Sequence, residues 1–180
     1  GRLMFPIRDE RGKLAGFGGR ALDNSLPKYL NSPKTEVFDK GRLLYALHIA
    51  GDTIRRLGEG VVVEGYTDAI AAHQNGFSNV VASMGTALTE RQVALLRRMA
   101  RSFVLALDPD AAGQEATLRS LESSWKVFEQ QTAGQQRGLS LYQRDRQEIS
   151  LSVALLPAGN DPDQLIRDDP KLWEQLIVDA

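Results

Sequence analysis

Short apolar runs alternate with helix-like patterns along most of the chain after Gly58. Each apolar run is typical of a buried strand, and we predict four such strands. The segments between them repeat apolar residues every three or four positions, as helices that cover a sheet do. The chain is therefore predicted to be α/β, with a mainly parallel, helix-covered sheet. The predicted strands are Val61–Val63, Asn79–Ala82, Phe103–Leu107 and Leu151–Leu156.

Three helices are predicted between these strands. The second is the best marked, because Thr89 followed by Gln92 is the signature of a capping box, and Gly76 marks the end of the first. The glutamine-rich segment 130–148 has weak periodicity, so we expect it to be an exposed excursion. The predicted helices are Asp68–Asn75, Thr89–Ala100 and Ala111–Gln130.

The first 57 residues show a different pattern, typical of a smaller α+β unit that precedes the sheet. Residues 2–22 predict a hairpin with its turn at Arg11 and Gly12. The segment 27–35 contains two prolines and predicts a loop. The segment Asp39–Leu57 predicts a helix in two pieces around Gly51.

Charge is distributed unevenly between the two parts of the chain. Residues 1–58 carry 11 Lys and Arg against 6 Asp and Glu, whereas residues 59–180 carry 11 against 17. One part could hold phosphates while the other holds cations, although chance variation explains this imbalance about equally well.

Composition excludes several other classes of protein. The sequence has no cysteine, which excludes disulfides and a cysteine-ligated zinc site. No apolar run reaches the ~20 residues that a membrane span requires. We therefore expect a cytoplasmic protein that does not bind a membrane.

Acidic residues follow three of the predicted strands. The carboxyl ends of parallel strands lie at one edge of a sheet, where ligands bind, so we expect these side chains to lie together. Another acid, one helical turn further along, would face the same edge. These residues are Glu64 after the first strand, Asp68 one turn later, Asp108 and Asp110 after the third strand, and Asp161 and Asp163 after the fourth.

Clustered carboxylates repel one another unless a cation lies between them. Oxygen donors without cysteine favour Mg²⁺ or Mn²⁺ over zinc. Each acid alone also has a structural explanation: Asp108 could cap a helix, Asp161 could begin a turn, and Asp68 could be a favourable charge at a helix N-terminus. Their coincidence at three strand ends favours a metal site.

Three motifs, EGYTDAI, ASMGTALT and DPDAAG, follow successive predicted strands and resemble the Toprim domain of primases, topoisomerases and recombination factors. The stretches MFPIRDERGKLAGFGGRAL, PKYLNSPKTEVFDKGRLLYAL and PAGNDPDQLI resemble the catalytic core of bacterial replicative DNA primases of the DnaG type. The chain has EGYTD where the family usually has EGYMD, and DPD where it usually has DGD. Pro109 fits there if the residue before it is extended.

The resemblance implies three segments. Residues 1–57 would be the C-terminal part of the family's basic N-terminal subdomain, and residues 58–167 would be the Toprim domain. Residues 168–180 would begin a C-terminal helical segment.

The resemblance also implies an RNA polymerase that makes short primers on single-stranded DNA from ribonucleoside triphosphates, leaving an RNA–DNA hybrid. The implied catalytic residues are Glu64, Asp108 and Asp110, which would hold Mg²⁺ or Mn²⁺. The metal site would extend to Asp68, Asp161 and Asp163, and the nucleotide and template contacts would be Arg20, Lys28, Asn31 and Lys40.

Family members carry a zinc module and a module that binds the replicative helicase, neither of which lies in this sequence. The implied location is the replication fork in the nucleoid. Two alternatives stay open. A topoisomerase or nuclease of the same metal fold would cleave DNA, and a non-catalytic Toprim scaffold would bind DNA or a partner protein and tolerate Glu64→Gln.

Overall fold

The computed structural model describes residues 1–85, 88–106, 150–157 and 159–180, which contain two β-sheets. A short 3₁₀ turn spans Lys40–Arg42. The predicted helix Ala111–Gln130 and the segment 130–148 lie outside the described residues. The strands and helices in chain order are β1 Arg2–Arg8, β2 Leu14–Ala21, β3 Tyr29–Asn31, α1 Leu47–Leu57, β4 Glu59–Val63, α2 Tyr66–Gln74, β5 Val80–Ala82, α3 Glu90–Arg97, β6 Ser102–Ala106, β7 Ser150–Ala154, α4 Pro162–Asp168 and α5 Pro170–Val178.

The larger sheet has four parallel strands in the order β5-β4-β6-β7. Successive side chains of a strand point to opposite faces, so Val62 of β4 packs with α1 and α3, whereas Val61 and Val63 pack with α2, α4 and α5. The sheet is thus covered by helices on both faces, which confirms the predicted α/β class. Among all the residues that the structure describes, no helix is long and apolar enough to span a bilayer.

The predicted elements of this sheet are confirmed to within a few residues at each end. The capping box before α3 is also present. Gln92 N donates to Thr89 Oγ1 over 3.2 Å, and Thr89 N donates to Gln92 Oε1 over 3.0 Å. The sequence signature therefore identifies the start of α3 correctly.

The smaller sheet is antiparallel, in the order β1-β2-β3. The predicted hairpin is confirmed, and Asp9 closes its turn by accepting hydrogen bonds from Arg11 N and Lys13 N, both over 2.9 Å. Gly12 has a φ of +79°, a conformation that glycine adopts readily. The two sheets pack together through a cluster of apolar residues that is separate from those on the two faces of the larger sheet. Its buried members are Phe5, Ile7, Phe38, Tyr66 and Met84.

The prediction of a loop over residues 27–35 is wrong for Tyr29–Asn31, which form β3. This strand pairs with Gly18, Gly19 and Arg20 of β2. Strand β3 is only three residues long and lies between two prolines. Its sequence is therefore too short to show the alternation of apolar and polar residues that predicts a strand. Its pairing with β2 outweighs the local preference for a loop.

The predicted helix break at Gly51 is also wrong, because α1 runs without interruption through that residue. The break lies before Leu47. Tyr45 N donates to Ala82 O over 2.9 Å, and Ala82 N donates to Tyr45 O over 3.1 Å, so the chain here adds an extended bridge to β5. Ala46, the N-cap residue of α1, then has a left-handed conformation with a φ of 65°.

We expect Gly51→Ala to stabilise the protein by about 0.5–1 kcal/mol, because alanine favours the helix and restricts the unfolded chain. A β-carbon at Gly51 would lie 3.6 Å from Arg55 Nη1 and from Met99 Sδ, which are ordinary contacts. Urea unfolding measures the change. A loss of stability would contradict the continuous α1.

Candidate active site

A cavity of about 320 Å³ lies between the carboxyl edge of the larger sheet and the smaller sheet. The turn between β4 and α2 forms its floor, and β2 and β3 form one wall. The loop after β5 and the start of α4 complete it. The lining residues are Arg20, Lys28, Tyr29, Asn31, Glu64, Gly65, Tyr66, Thr67, Asp68, Met84, Gly85, Asp161 and Asp163.

The acidic part of the wall begins where β4 ends. Glu64 directly follows the strand and lines the cavity. Asp68 lines it too, but its carboxylate also accepts a hydrogen bond from Gly65 N over 2.9 Å and so caps α2. Asp68 therefore stabilises the N-terminus of α2, as its structural explanation predicts, and it also lines the cavity.

Two more acids reach the cavity from the other end of the sheet. Asp161 is the N-cap residue of α4, although its side chain does not cap that helix. Asp163 forms an ion pair with Arg167 over 2.8 Å. The structure thus brings four of the six predicted acids to one cavity, and Asp108 and Asp110 lie outside the described residues.

The acidic wall offers carboxylate oxygens, the donors that Mg²⁺ and Mn²⁺ prefer. Across the described ranges, however, no three acidic, histidine or cysteine side chains are grouped closely enough to hold a metal ion. The donor chemistry fits a hard divalent cation, but these residues do not form a complete site by themselves.

The opposite wall is basic and belongs to the smaller sheet. The guanidinium carbon of Arg20 lies 5.8 Å from the centroid of the Tyr29 ring, and Lys28 Nζ lies 5.7 Å from it. Such cation–π contacts hold the positive groups beside the cavity without neutralising them. Asn31 lines the same wall, whereas Lys40 does not reach the lining.

Tyr66 is the largest buried group at the cavity, with a side chain only 3% exposed. Its ring centroid lies 4.5 Å from that of Phe5, 5.6 Å from Tyr29 and 5.8 Å from Tyr45. Burial, with smaller effects of Tyr29 and Tyr45, raises the pKa of the Tyr66 hydroxyl to about 12. The hydroxyl is therefore protonated at neutral pH and can donate a hydrogen bond.

The loop after β5 holds the backbone of Glu64. Gly85 N donates to Glu64 O over 3.1 Å, and Ser83 N donates to Val63 O over 3.0 Å. Met84 has a φ of 64°, a strained conformation for a residue with a side chain. The strain lies at the cavity, where Met84 is buried and forms part of the wall.

Sequence reasoning missed the two tyrosines of the cavity. Tyr29 lies in the segment predicted as a loop. Tyr66 lies directly after Glu64 and Gly65, and this proximity to a strand-end acid is the signal that could have identified it.

Two family models match the chain. The model described as "DNA primase catalytic core, N-terminal domain" matches residues 1–51, and the model described as "Toprim domain" matches residues 58–136. Together they cover the smaller sheet and the first three strands of the larger sheet, with Glu64 and Asp68, but not β7, Asp161 or Asp163.

Curated relatives of the chain are named DNA primase. That of Clostridium acetobutylicum is 43% identical over 175 residues, covering 94% of this chain and 25% of the relative. That of Deinococcus radiodurans is 56% identical over 123 residues, covering 68% of this chain and 22% of the relative. The chain thus spans about a quarter of the length of the relatives it matches.

Solved structures with the same fold are also primases. The chain is 39% identical to the E. coli primase catalytic core, with a TM-score of 0.81, covering 99% of this chain and 52% of that one. It is 38% identical to a DnaG primase catalytic domain bound to ssDNA, with a TM-score of 0.81, covering 99% of this chain and 51% of that one.

We expect Gly18→Ala to destabilise the protein by about 1–3 kcal/mol, because the added methyl overpacks a buried contact. A β-carbon on Gly18 would lie 2.9 Å from Cε1 and 3.0 Å from Cζ of the rigid Tyr66 ring. Urea unfolding tests this, with Gly51→Ala as the matched control. An unchanged unfolding midpoint for Gly18→Ala would mean that Tyr66 does not pack against β2.

Proposed function

This chain belongs to the family of DnaG-type bacterial DNA primase catalytic cores, and we propose that it carries the polymerising site of such an enzyme. It would join ribonucleotides into short RNA primers on a single-stranded DNA template. The observation that carries the proposal is the cavity itself, in which an acidic wall faces a basic wall. A nucleoside triphosphate with its bound cations matches both walls.

Glu64, Asp108 and Asp110 would hold Mg²⁺ or Mn²⁺, and Asp68, Asp161 and Asp163 would extend the site. Oxygen-only donors at the described positions support this choice of ion. When bound, divalent ions would stabilise the charge that develops on the reacting phosphate and on the oxygens that enter and leave it.

The reaction would join two nucleotides by a single displacement. The 3′-hydroxyl oxygen of the primer bonds to the α-phosphorus of the incoming triphosphate, the bond from that phosphorus to the bridging oxygen breaks, and pyrophosphate leaves. The hydroxyl proton would pass to a carboxylate oxygen of Glu64 and then to solvent. The backbone of Glu64 is held by Val63 in β4 and by the Gly85 hydrogen bond, which orients its side chain.

The basic wall would bind the substrate by its phosphates. Arg20 and Lys28 supply positive charge, and Asn31 supplies an amide, all on the wall that faces Glu64. Phosphate contacts hold a nucleotide or strand without reading its bases. Lys40 lies outside the cavity lining, so we assign it to the template strand.

The proposed partners follow from the reaction. They are single-stranded DNA, ribonucleoside triphosphates and the RNA–DNA hybrid product, at the replication fork in the cytoplasm. Binding to the replicative helicase would use a module outside this sequence. The relative described as bound to ssDNA supports the template assignment.

We expect Glu64→Gln to abolish the metal-dependent increase in binding of a fluorescent ribonucleoside triphosphate, because the amide cannot replace the carboxylate as a metal ligand. Titrations with and without Mn²⁺ measure this. Glu59→Gln is the matched control, since Glu59 lies at the opposite end of β4 and should leave binding unchanged.

Nucleotide binding that Glu64→Gln leaves intact would contradict the proposal and favour the non-catalytic scaffold. Metal-dependent nicking of DNA in the absence of nucleotides would favour strand cleavage. Loss of RNA synthesis on single-stranded DNA in the same variant, with unfolding unchanged, is the result that a polymerising site requires.

We expect binding of single-stranded DNA to weaken steeply with salt, and Lys28→Ala to reduce the slope of log K against log salt by about 0.7, the value for one lost phosphate contact. Fluorescence anisotropy at several salt concentrations measures the slope. Lys13→Ala, in the exposed hairpin turn, is the control and should leave the slope unchanged. Equal slopes for wild type and Lys28→Ala would show that Lys28 does not contact a phosphate of the DNA.

A further inference from the structure

Two buried polar atoms belong to side chains that lie beside the same glycine at the wall of the cavity. They are the hydroxyl oxygen of Tyr66 and Oδ1 of Asn31, and neither is hydrogen-bonded to another residue in the described part of the chain. Both border the backbone of Gly18. A β-carbon built there would lie 3.0 Å from Tyr66 Cζ and 3.1 Å from Asn31 Oδ1.

The chemistry of the two atoms is complementary. A tyrosine hydroxyl can donate a hydrogen bond, whereas an amide oxygen can only accept one. Leaving both buried without a partner is unfavourable, so a small rotation that joins them is favoured.

We propose that Tyr66 is a positioning residue whose hydroxyl donates a hydrogen bond to Asn31 Oδ1 and thereby directs the Asn31 amide nitrogen toward a phosphate in the cavity. The inference rests on the proposed function, because it requires a phosphate ligand. Tyr66 would thus orient the Asn31 amide, a role that neither the acidic nor the basic side chains of the cavity fill.

The orientation of the amide decides what the wall offers to an anion. With Oδ1 buried against Gly18, the nitrogen is the end of the Asn31 amide that is left to face the cavity. It then joins Arg20 and Lys28 as a hydrogen-bond donor. The opposite orientation would present an oxygen to the phosphate and repel it.

Tyr66 itself does not touch the ligand in this scheme. Its hydroxyl is buried, and its ring is enclosed by Phe5, Tyr29 and Tyr45. The residue therefore acts through Asn31. The ring alone maintains the packing between the sheets, so removal of the hydroxyl separates positioning from packing.

The test is a double-mutant cycle on binding of a fluorescent ribonucleoside triphosphate in the presence of Mn²⁺. We expect Tyr66→Phe to weaken binding roughly 2- to 10-fold, the effect of one hydrogen bond, and Asn31→Ala to weaken it at least as much. Because both act through one group, Tyr66→Phe should add nothing to Asn31→Ala. Tyr45→Phe, which removes a hydroxyl from a neighbouring ring outside the cavity lining, is the matched control.

Four results would overturn the inference, and they differ in what they say of the proposed function. Fully additive effects would exclude the positioning role of Tyr66 but leave the proposed function intact. An unchanged affinity in Tyr66→Phe, with weak binding in Asn31→Ala, would have the same meaning. Equal weakening by Tyr45→Phe would show a general effect of the aromatic cluster. If the unmodified chain bound no nucleotide, the proposed function would fall together with this inference.

Discussion

The Tyr66 ring fills the space that Gly18 leaves in β2, and this contact governs how closely the two sheets approach. The ring is held by Phe5 of β1 and Tyr29 of β3, yet it belongs to the first residue of α2. Glu64 lies two residues earlier in the chain. The acidic edge and the basic wall are therefore joined through one buried side chain, and the cavity between them depends on its packing.

The two walls carry opposite charge but do not neutralise each other. Of the ion pairs among the described residues, none joins Arg20 or Lys28 to Glu64. The positive groups lie near the Tyr29 ring instead, which attracts them less than a carboxylate would. Their charge remains available to a ligand that brings its own anionic groups, while Glu64 on the opposite wall remains available to a cation.

Features that depend on short-range pattern were predictable from sequence, and features that depend on distant partners were not. Valine-rich runs indicated the parallel strands, and the acids after them indicated the edge of the sheet where Glu64 and Asp161 line the cavity. Strand β3 and the bridge at Tyr45 form by pairing with β2 and β5, for which the local sequence carries no signal. Tyr66 lies two residues before the predicted start of its helix at Asp68, and its contact with the other sheet depends on the fold.

Hydrogen bonds from Gln92 hold the backbone of Lys40 against α3 and so keep this residue away from the cavity. This fully buried side chain donates to Lys40 O over 2.9 Å and to Leu43 O over 2.8 Å, which fastens the 3₁₀ turn to α3. A cavity of about 320 Å³ lies at the small end of ligand pockets and suits one nucleotide better than a strand. A template contact at Lys40 and a metal at Glu64 would then both be anchored to the larger sheet, whereas Lys28 would contact phosphates from the smaller sheet.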